Sequence, residues 1–326
     1  MRINFHGLRA VLLAACAALG FAGPAAAQQG TVKILVGFPA GATSDSLTRV
    51  TAEAMGRILG QTVIVENKAG AGGRIAAEAL KAAAPDGLTL LMSPVAAISI
   101  FPHSFAGQMR YDPFTDFAPV AHLSNFQLGW GVNAEVPART LAEYVALVKT
   151  DPKKNGFYAS AAPGSLPHFF GVMFARSAGI ELTHVPYKGT APAMLALASG
   201  EIAAASTLVA DIRSVTDAGK ARLLAVAGEK RDPAFPQVPT FKELGYDLVA
   251  EPWYGLFAPA GTPPAVLERL SKAAMQAIQD PGVNKRLQDM GLLPTGLDAK
   301  TLGTLMQQDF DRWGPVIKVS GFKPGQ

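Results

Sequence analysis

Two stretches far apart in this chain carry one short pattern. Near the start stands Ile34-Leu35-Val36-Gly37-Phe38-Pro39-Ala40-Gly41-Ala42-Thr43-Ser44-Asp45. Past the middle stands Phe157-Tyr158-Ala159-Ser160-Ala161-Ala162-Pro163-Gly164-Ser165-Leu166-Pro167-His168. Each reads as an apolar strand, a loop of small residues, and hydroxyl-bearing residues that open a helix. Such a turn leaves backbone N–H groups bare at a helix N-terminus, where the dipole favours negative charge. Two of them predict an anion gripped from two sides.

The strand–helix alternation extends from each turn. Val32 to Val36 is near-continuously apolar, as a buried parallel strand requires. Asp45 to Leu59 has a helical stripe of Leu47, Val50, Ala54 and Ile58, with Gly60 as its stop. Thr62 to Val65 and Leu88 to Met92 read as further strands, with a helix from Ile75 to Ala84 between them. The pattern restarts at Thr140-Leu141-Ala142-Glu143, a capping box. Strands are predicted at 157–160, 181–185, 202–206 and 222–227, and helices at 165–178, 191–198 and 210–218. Thr262-Pro263-Pro264 opens a long helix whose core face is Val266, Leu267, Leu270, Ala274 and Ile278, and helices near 283–290 and 301–319 close the chain. The leading architecture is α/β, with parallel-type sheets flanked by helices. No low-complexity linker separates the halves. Two lobes joined by two crossings are therefore predicted, near Leu128 to Val132 and Tyr254 to Pro259.

The first residues read as an export signal: Arg2 and Arg9, an apolar run from Ala10 to Gly20, and a cleavage site at Ala25-Ala26-Ala27. The rival is lipoprotein processing at Cys16, since Leu13-Ala14-Ala15-Cys16 resembles a lipobox. Removing 27 of the 326 residues leaves 299 and takes away the only cysteine, so no disulfide or catalytic thiolate is expected. The net charge of +4 includes Arg2 and Arg9. The remaining basic residues are scattered, with no Lys/Arg cluster alternating with aromatics, which argues against nucleic acid.

Several motifs reduce to simpler readings. Gly70-Ala71-Gly72-Gly73 lacks the spacing of a dinucleotide fingerprint and reads as a tight turn, so no cofactor is expected. The histidines at 103, 122, 168 and 184 lack metal-ligand spacing, and no metal is expected. There is no G-x-S-x-G elbow. Ser160 or Ser165 with His168 could act as nucleophile and base in an exported serine hydrolase. The same residues fit a helix cap and ligand contacts. Asp45, in a first helical turn, fits a carboxylate occupied by its own helix.

The chain resembles the Bug family, the extracytoplasmic solute-binding proteins of tripartite tricarboxylate transporters. The resemblance rests on Phe38-Pro39-Ala40-Gly41 with Asp45, on Val65 through Gly73, and on Ala84-Pro85-Asp86-Gly87. It continues through Tyr111-Asp112-Pro113, Tyr158-x-Ser160-Ala161, His184 through Gly189, Gly219-Lys220, and Trp253-x-Gly255 with Ala258 through Pro263. It implies a two-lobed type II periplasmic binding protein (a Venus flytrap) and no enzyme. The protein would be a periplasmic monomer that captures a small organic carboxylate, plausibly a dicarboxylate, for transient delivery to membrane transporter subunits. A ligand-loaded sensor for a signalling receptor is the alternative within this reading. Lobe 1 would comprise 28–127 and 256–326, and lobe 2 would comprise 128–255. The ligand loops would be Phe38, Ala40, Gly41, Ala42, Thr43, Ser44 and Asp45, and Ser160, Ala161, Gly164, Ser165 and His168. The loops after Met92 and Ala205 add Ser93, Ser206 and Thr207. Ala42 and Ala162 stand where family members usually have glycine, and each methyl restricts positive φ. Neither ligand loop contains Lys or Arg. Backbone N–H groups and the Ser160 and Ser165 hydroxyls are therefore predicted to hold the carboxylate, with Arg49, Lys68, Arg74 and Lys188 secondary.

Overall fold

The computed structural model describes residues 30–187 and 189–324. The predicted export signal, Cys16 and Lys188 lie outside the described residues. Strand β1 (Val32–Val36) leads into helix α1 (Thr43–Leu59), which ends at Gly60 with φ 64°. There follow β2 (Val63–Asn67), α2 (Arg74–Lys81) and β3 (Thr89–Pro94). A π-turn over Ala96–Ile100 runs into the short α3 (Phe101–Ser104), and β4 (Phe117–Asn125) follows. These strands join β10 (Trp253–Pro259) and β11 (Leu293–Asp298) in a six-stranded sheet of order β11-β4-β10-β3-β1-β2.

The second sheet has the order β7-β6-β8-β5-β9. Its strands are β5 (Leu128–Asn133), β6 (Phe157–Ser160), β7 (Thr183–Pro186), β8 (Ala204–Leu208) and β9 (Ala221–Val226). Between them lie α4 (Leu141–Thr150), α5 (Pro152–Asn155), α6 (Leu166–Ala178), α7 (Thr190–Ser199) and α8 (Val209–Asp217). The Thr140–Glu143 capping box forms reciprocally, satisfying orphan donors at both of its ends. Helices α9 (Pro264–Gln279), α10 (Pro281–Asp289) and α11 (Ala299–Ser320) return to the first sheet.

Both sheets are mixed rather than wholly parallel. β10 runs antiparallel between β3 and β4, and β5 runs antiparallel between β8 and β9. The cause is the route of the chain: a chain that leaves one sheet and later re-enters it brings in strands without a right-handed βαβ crossover. The segments expected as crossings are themselves strands. The chain changes sheets just before them, at Phe126 and Gln127 after β4, and between Val226 and Trp253 before β10. The Phe126 N–H donates to Pro252 O, so the two passages lie side by side.

One apolar core runs through both sheets, from Leu35, Leu91, Trp253 and Phe257 to Trp130, Tyr158, Phe170 and Phe174. The Trp130 ring lies 4.8 Å from Phe174 and 5.3 Å from Tyr158, within the range of favourable aromatic pairs. Separate cores fill the outer face of each sheet. Leu47, Val50 and Met55 of α1 pack with Leu270, Ala274 and Ile278 of α9 on the first, and Leu197 packs with Ile212 on the second.

Candidate ligand site

The first loop is built around a buried carboxylate. Asp45 is 3 % exposed and accepts from the Gly41 N–H at 2.9 Å, from Asn67 Nδ2 at 2.8 Å and from Arg49 Nε at 3.0 Å. Burial raises its proton affinity, but the bonds from Arg49, Gly41 and Asn67 and the Arg49 charge outweigh that and hold the carboxyl below its ordinary range. Asn67 Nδ2 also donates to Phe38 O at 3.0 Å, so the end of β2 braces the start of the loop. Gly41 has φ 84°, a left-handed conformation that suits glycine. Ala40 and Gly41 are exposed, and Phe38, Ala42 and Thr43 are half-buried.

This arrangement settles which donors of the first loop are free. The Gly41 N–H is taken by Asp45, and the Ala42 N–H donates to Pro39 O at 3.3 Å. Ala42 is the N-cap and supplies no side-chain acceptor. Among the described residues, the N–H groups of Thr43, Ser44 and Asp45 have no partner, so the end of α1 is open. Ala42 is extended, with φ −68° and ψ 157°, so its methyl costs no backbone strain. Ala71 is the only non-glycine residue with positive φ among the described residues, so Ala162 is unstrained as well. Ala71 belongs to the turn over residues 70–73, which is tight, with Gly70, Gly72 and Gly73 also at positive φ.

The second loop is held by two stacked imidazoles. Ser160 is 1 % exposed at the end of β6, and its Oγ lies 2.7 Å from His184 Nε2 and 3.1 Å from Ala162 O. With the hydroxyl donating to Ala162 O, His184 donates to the hydroxyl. His184 stacks on His168 with centroids 3.9 Å apart, and His168 Nδ1 accepts from the Gly164 N–H at 3.1 Å. Ser165 occupies the N-cap position of α6, but its hydroxyl donates to Ala162 O at 2.7 Å and makes no cap bond. The hydroxyls of Ser160 and Ser165, expected as ligand donors, are thus both bonded within their own loop. Ala161 is half-buried, and Gly164 is buried at φ 70°.

The remaining predicted residues lie within strands, towards the carboxyl ends of β3 and β8. Ser93 is 3 % exposed, and its hydroxyl donates to Pro94 O at 3.1 Å. Ser206 is wholly buried, and its Oγ has no partner among the described residues. Thr207 is 4 % exposed and lies opposite Gly129 in the β5–β8 ladder.

The cations near the first loop already have partners. Arg49 spans Asp45 and Asn67 Oδ1, Lys68 pairs with Glu66 at 2.7 Å, and Arg74 donates to Ala71 O while its guanidinium sits 4.2 Å from the Phe105 centroid. The two sheets meet where the second loop touches the first sheet's elements. A Cβ on Gly164 would lie 2.8 Å from Phe322 and 3.3 Å from Phe105. On the far side, a Cβ on Gly291 would lie 2.8 Å from Ala210 at the start of α8. In parallel strands, a loop after a carboxyl end faces the crevice where α/β proteins take ligands. Both open helix ends sit at such positions.

Residues 47–322 match the family model described as "Tripartite tricarboxylate transporter family receptor". The chain belongs to this receptor family. Three solved structures are similar along nearly their whole length. The periplasmic binding protein BugD is 30% identical, covering 90% of this chain and 98% of its own, with a TM-score of 0.78. MatC from Rhodopseudomonas palustris with bound malate is 31% identical, covering 88% and 98%, with a TM-score of 0.77. Rpa4515 of R. palustris with adipate is 28% identical, covering 90% and 98%, with a TM-score of 0.81. The two mixed sheets are therefore those of a two-lobed periplasmic binding protein of the Bug type, and the family and these neighbours are solute-binding proteins.

In this member of the receptor family, one contact could pass for catalytic machinery, and it is not the expected one. Ser160 meets His184, while His168 bonds to Gly164 and Ser165 to Ala162. Sequence spacing missed the Ser160–His184 pair because it depends on β6–β7 register, in which Tyr158 stands opposite His184. Burial pushes His168 down to about 4, and burial followed by the nearby His168 pushes His184 down to about 3. Buried His122, held 2.7 Å from Thr295 Oγ1, is pushed down to about 4 by burial, partly offset by Asn125. All three therefore fold neutral. The unfolded chain takes up protons below about pH 6.5, which the folded chain refuses until near pH 4. Stability is full above pH 6.5 and falls as pH drops towards 4. A fall in Tm of about 2 °C or more between pH 7.5 and 5 is expected, and His168→Gln should reduce it. An unchanged Tm across that range would contradict the neutral pair.

Proposed function

We infer that this receptor-family protein captures a small organic carboxylate, of the dicarboxylate class, in the periplasm and hands it to tripartite transporter subunits. The observation that carries the reading is the open N-terminus of α1, with Thr43, Ser44 and Asp45 N–H groups unpartnered among the described residues and the nearby cations already paired with other groups. Fixed N–H dipoles at a helix end hold an anion without a counter-cation. The second loop adds the start of α6, where Ser165 provides no cap and, Pro167 having no N–H, the donors are the Leu166 and His168 N–H groups. Micromolar affinity needs about 8 kcal/mol, and hydrogen bonds to a charged group supply about 1.5–3 kcal/mol each. Four or five such donors suffice after ordering costs. MatC and Rpa4515, solved with malate and adipate, support the class.

The protein acts in this reading as a monomer whose lobes divide at the two side-by-side passages, with all of β10 in the first lobe. It is exported by its N-terminal signal and carries no enzymatic activity. In the Ser160–His184 pair, the hydroxyl that would attack already has an acceptor in Ala162 O.

Thermal shift against mono-, di- and tricarboxylates tests the reading, because a ligand at 100 times its Kd stabilises the native state by about 2.7 kcal/mol. At least one carboxylate should give a clear shift, and sugars and cationic amines none. A neutral sugar as the only strong hit would remove the anion argument.

A further inference from the structure

The same edge of the second sheet carries one charged group outside the two ligand loops. Asp211 lies in the first turn of α8, which follows β8 directly. β8 is parallel to β6, and β6 to β7, so the carboxyl ends of all three strands share one edge. That edge carries Ser160, the start of α7 at Thr190, and Asp211. Asp211 accepts a hydrogen bond from Thr190, and its charge is felt by Tyr254 of β10, which belongs to the other sheet. Its neighbour Ala210 packs against Gly291, again across the two sheets. Asp211 therefore stands where the sheets face each other. Among the described residues no Lys, Arg or His makes an ion pair with it, and the nearest basic residue in sequence, Arg213, is directed to Asp217 at 3.8 Å. Burial, offset by the Thr190 bond, raises its pKa to about 6.

A bare carboxylate is a poor lining for a site that receives an anion, since like charges brought together are strongly disfavoured. It is a good lining for a ligand that carries a donor beside its carboxylate. A carboxylate is acceptor-only when ionised, and Thr190 occupies only part of its capacity. A site built to hydrogen-bond a ligand O–H or N–H rejects the analogue lacking it far more strongly than an apolar pocket rejects a missing methylene.

We propose that Asp211 determines specificity by accepting a hydrogen bond from a hydroxyl or amino group on the bound carboxylate, so that the ligand is a hydroxy or amino acid rather than a plain diacid. This rests on the carboxylate reading of the site. The test is titration calorimetry with three matched four-carbon probes: succinate, L-malate and L-aspartate. The full mature chain and its Asp211→Asn variant are titrated at pH 7.5. Malate or aspartate should bind the unaltered protein at least about tenfold more tightly than succinate. In Asp211→Asn that advantage should shrink to about threefold or less, with succinate binding more tightly than before. Malate alone preferred would identify the donor as a hydroxyl, and aspartate alone preferred would identify it as an ammonium. Removing a partly buried, unpaired charge should leave the variant's Tm equal to or above that of the parent. Succinate binding as tightly as both probes to the unaltered protein would overturn the proposal while leaving the carboxylate reading intact. A preference unchanged in Asp211→Asn would overturn it in the same way. No binding by any carboxylate would overturn both.

Discussion

Gly37→Ala should destabilise the protein by about 3 kcal/mol or more, at the upper end of the cost of overpacking. A Cβ at Gly37 would lie 2.3 Å from Gly73 Cα and 3.0 Å from Gly73 O. Carbon atoms in good contact stand about 3.5–4.0 Å apart, so more than an ångström of movement is required. The obstacle is backbone, and it is backbone with little freedom. Gly73 is at φ 99°, and its N–H donates to Gly70 O at 2.9 Å. The same turn starts α2 and orients Arg74 over Phe105. Moving it would disturb both the first loop and the wall beside it, so carboxylate binding should fall together with stability. Gly41→Ala is the control. Its Cβ would meet nothing within 4 Å, leaving only the cost of a left-handed residue, about 1–2 kcal/mol. Urea denaturation of the two variants decides the matter, read as midpoint shifts at constant slope. A Gly37→Ala midpoint equal to that of the parent, or above that of Gly41→Ala, would mean that Gly37 and the turn over residues 70–73 are not pressed together as the contact with Gly73 requires.

Asp45→Ala should lower stability by about 2–3 kcal/mol and weaken carboxylate binding by about tenfold or more. One carboxylate holds the Gly41 N–H, Asn67 and Arg49. Arg49 is half exposed, so its share is discounted for solvent screening. The bonds from Gly41 and Asn67 are part-buried and carry most of the effect. Without them the Gly41–Ser44 turn loses its brace, and the open donors of α1 are no longer held in one geometry. The folded pKa of Asp45 is depressed, so its contribution is complete above the unfolded value near 3.8 and is lost as pH falls through the lower folded value. Between pH 7 and 4.5 the difference between Asp45→Ala and the parent should stay constant, and below pH 3.8 it should shrink. A binding constant unchanged in Asp45→Ala would show that the loop needs no such brace.

The sequence was most readable where a single element declares itself. The stripe of α1, its stop at Gly60, the Thr140 capping box and the strand at 157–160 all depend on neighbours a few residues away. It was least readable in β4, β5, β10 and β11, and the reason is steric. A Cβ on Gly131 would lie 2.0 Å from Ile212, one on Gly129 2.6 Å from Leu223, and one on Gly255 2.9 Å from Leu302. β5 and β10 carry these glycines because helices and neighbouring strands press onto them, and glycine in a strand reads as a loop. β4 and β10 also contain Pro119 and Pro259, which count against a strand in a sequence reading. The site divides in the same way. Asp45 at a helix start was legible as an occupied carboxylate, but Asn67, 22 residues away, was not. Ser160 was legible as a loop residue, but its partner His184 depends on strand register. Asp211 gives no distinct signal in the sequence, because an acid in the first turn of a helix is ordinarily explained by the dipole alone.

β4 and β10 are antiparallel neighbours, with Asn125 opposite Trp253, so the chain leaves and re-enters the first sheet at adjacent points. Topologically, the whole five-stranded unit is an insertion at the tip of a β-hairpin. A two-residue turn could close that hairpin once the insertion is excised, and a foreign domain whose own ends lie close together could be spliced there without re-threading the six-stranded sheet. The same geometry makes the first sheet a receptacle whose partner half is exchangeable by cutting at only two points of the backbone.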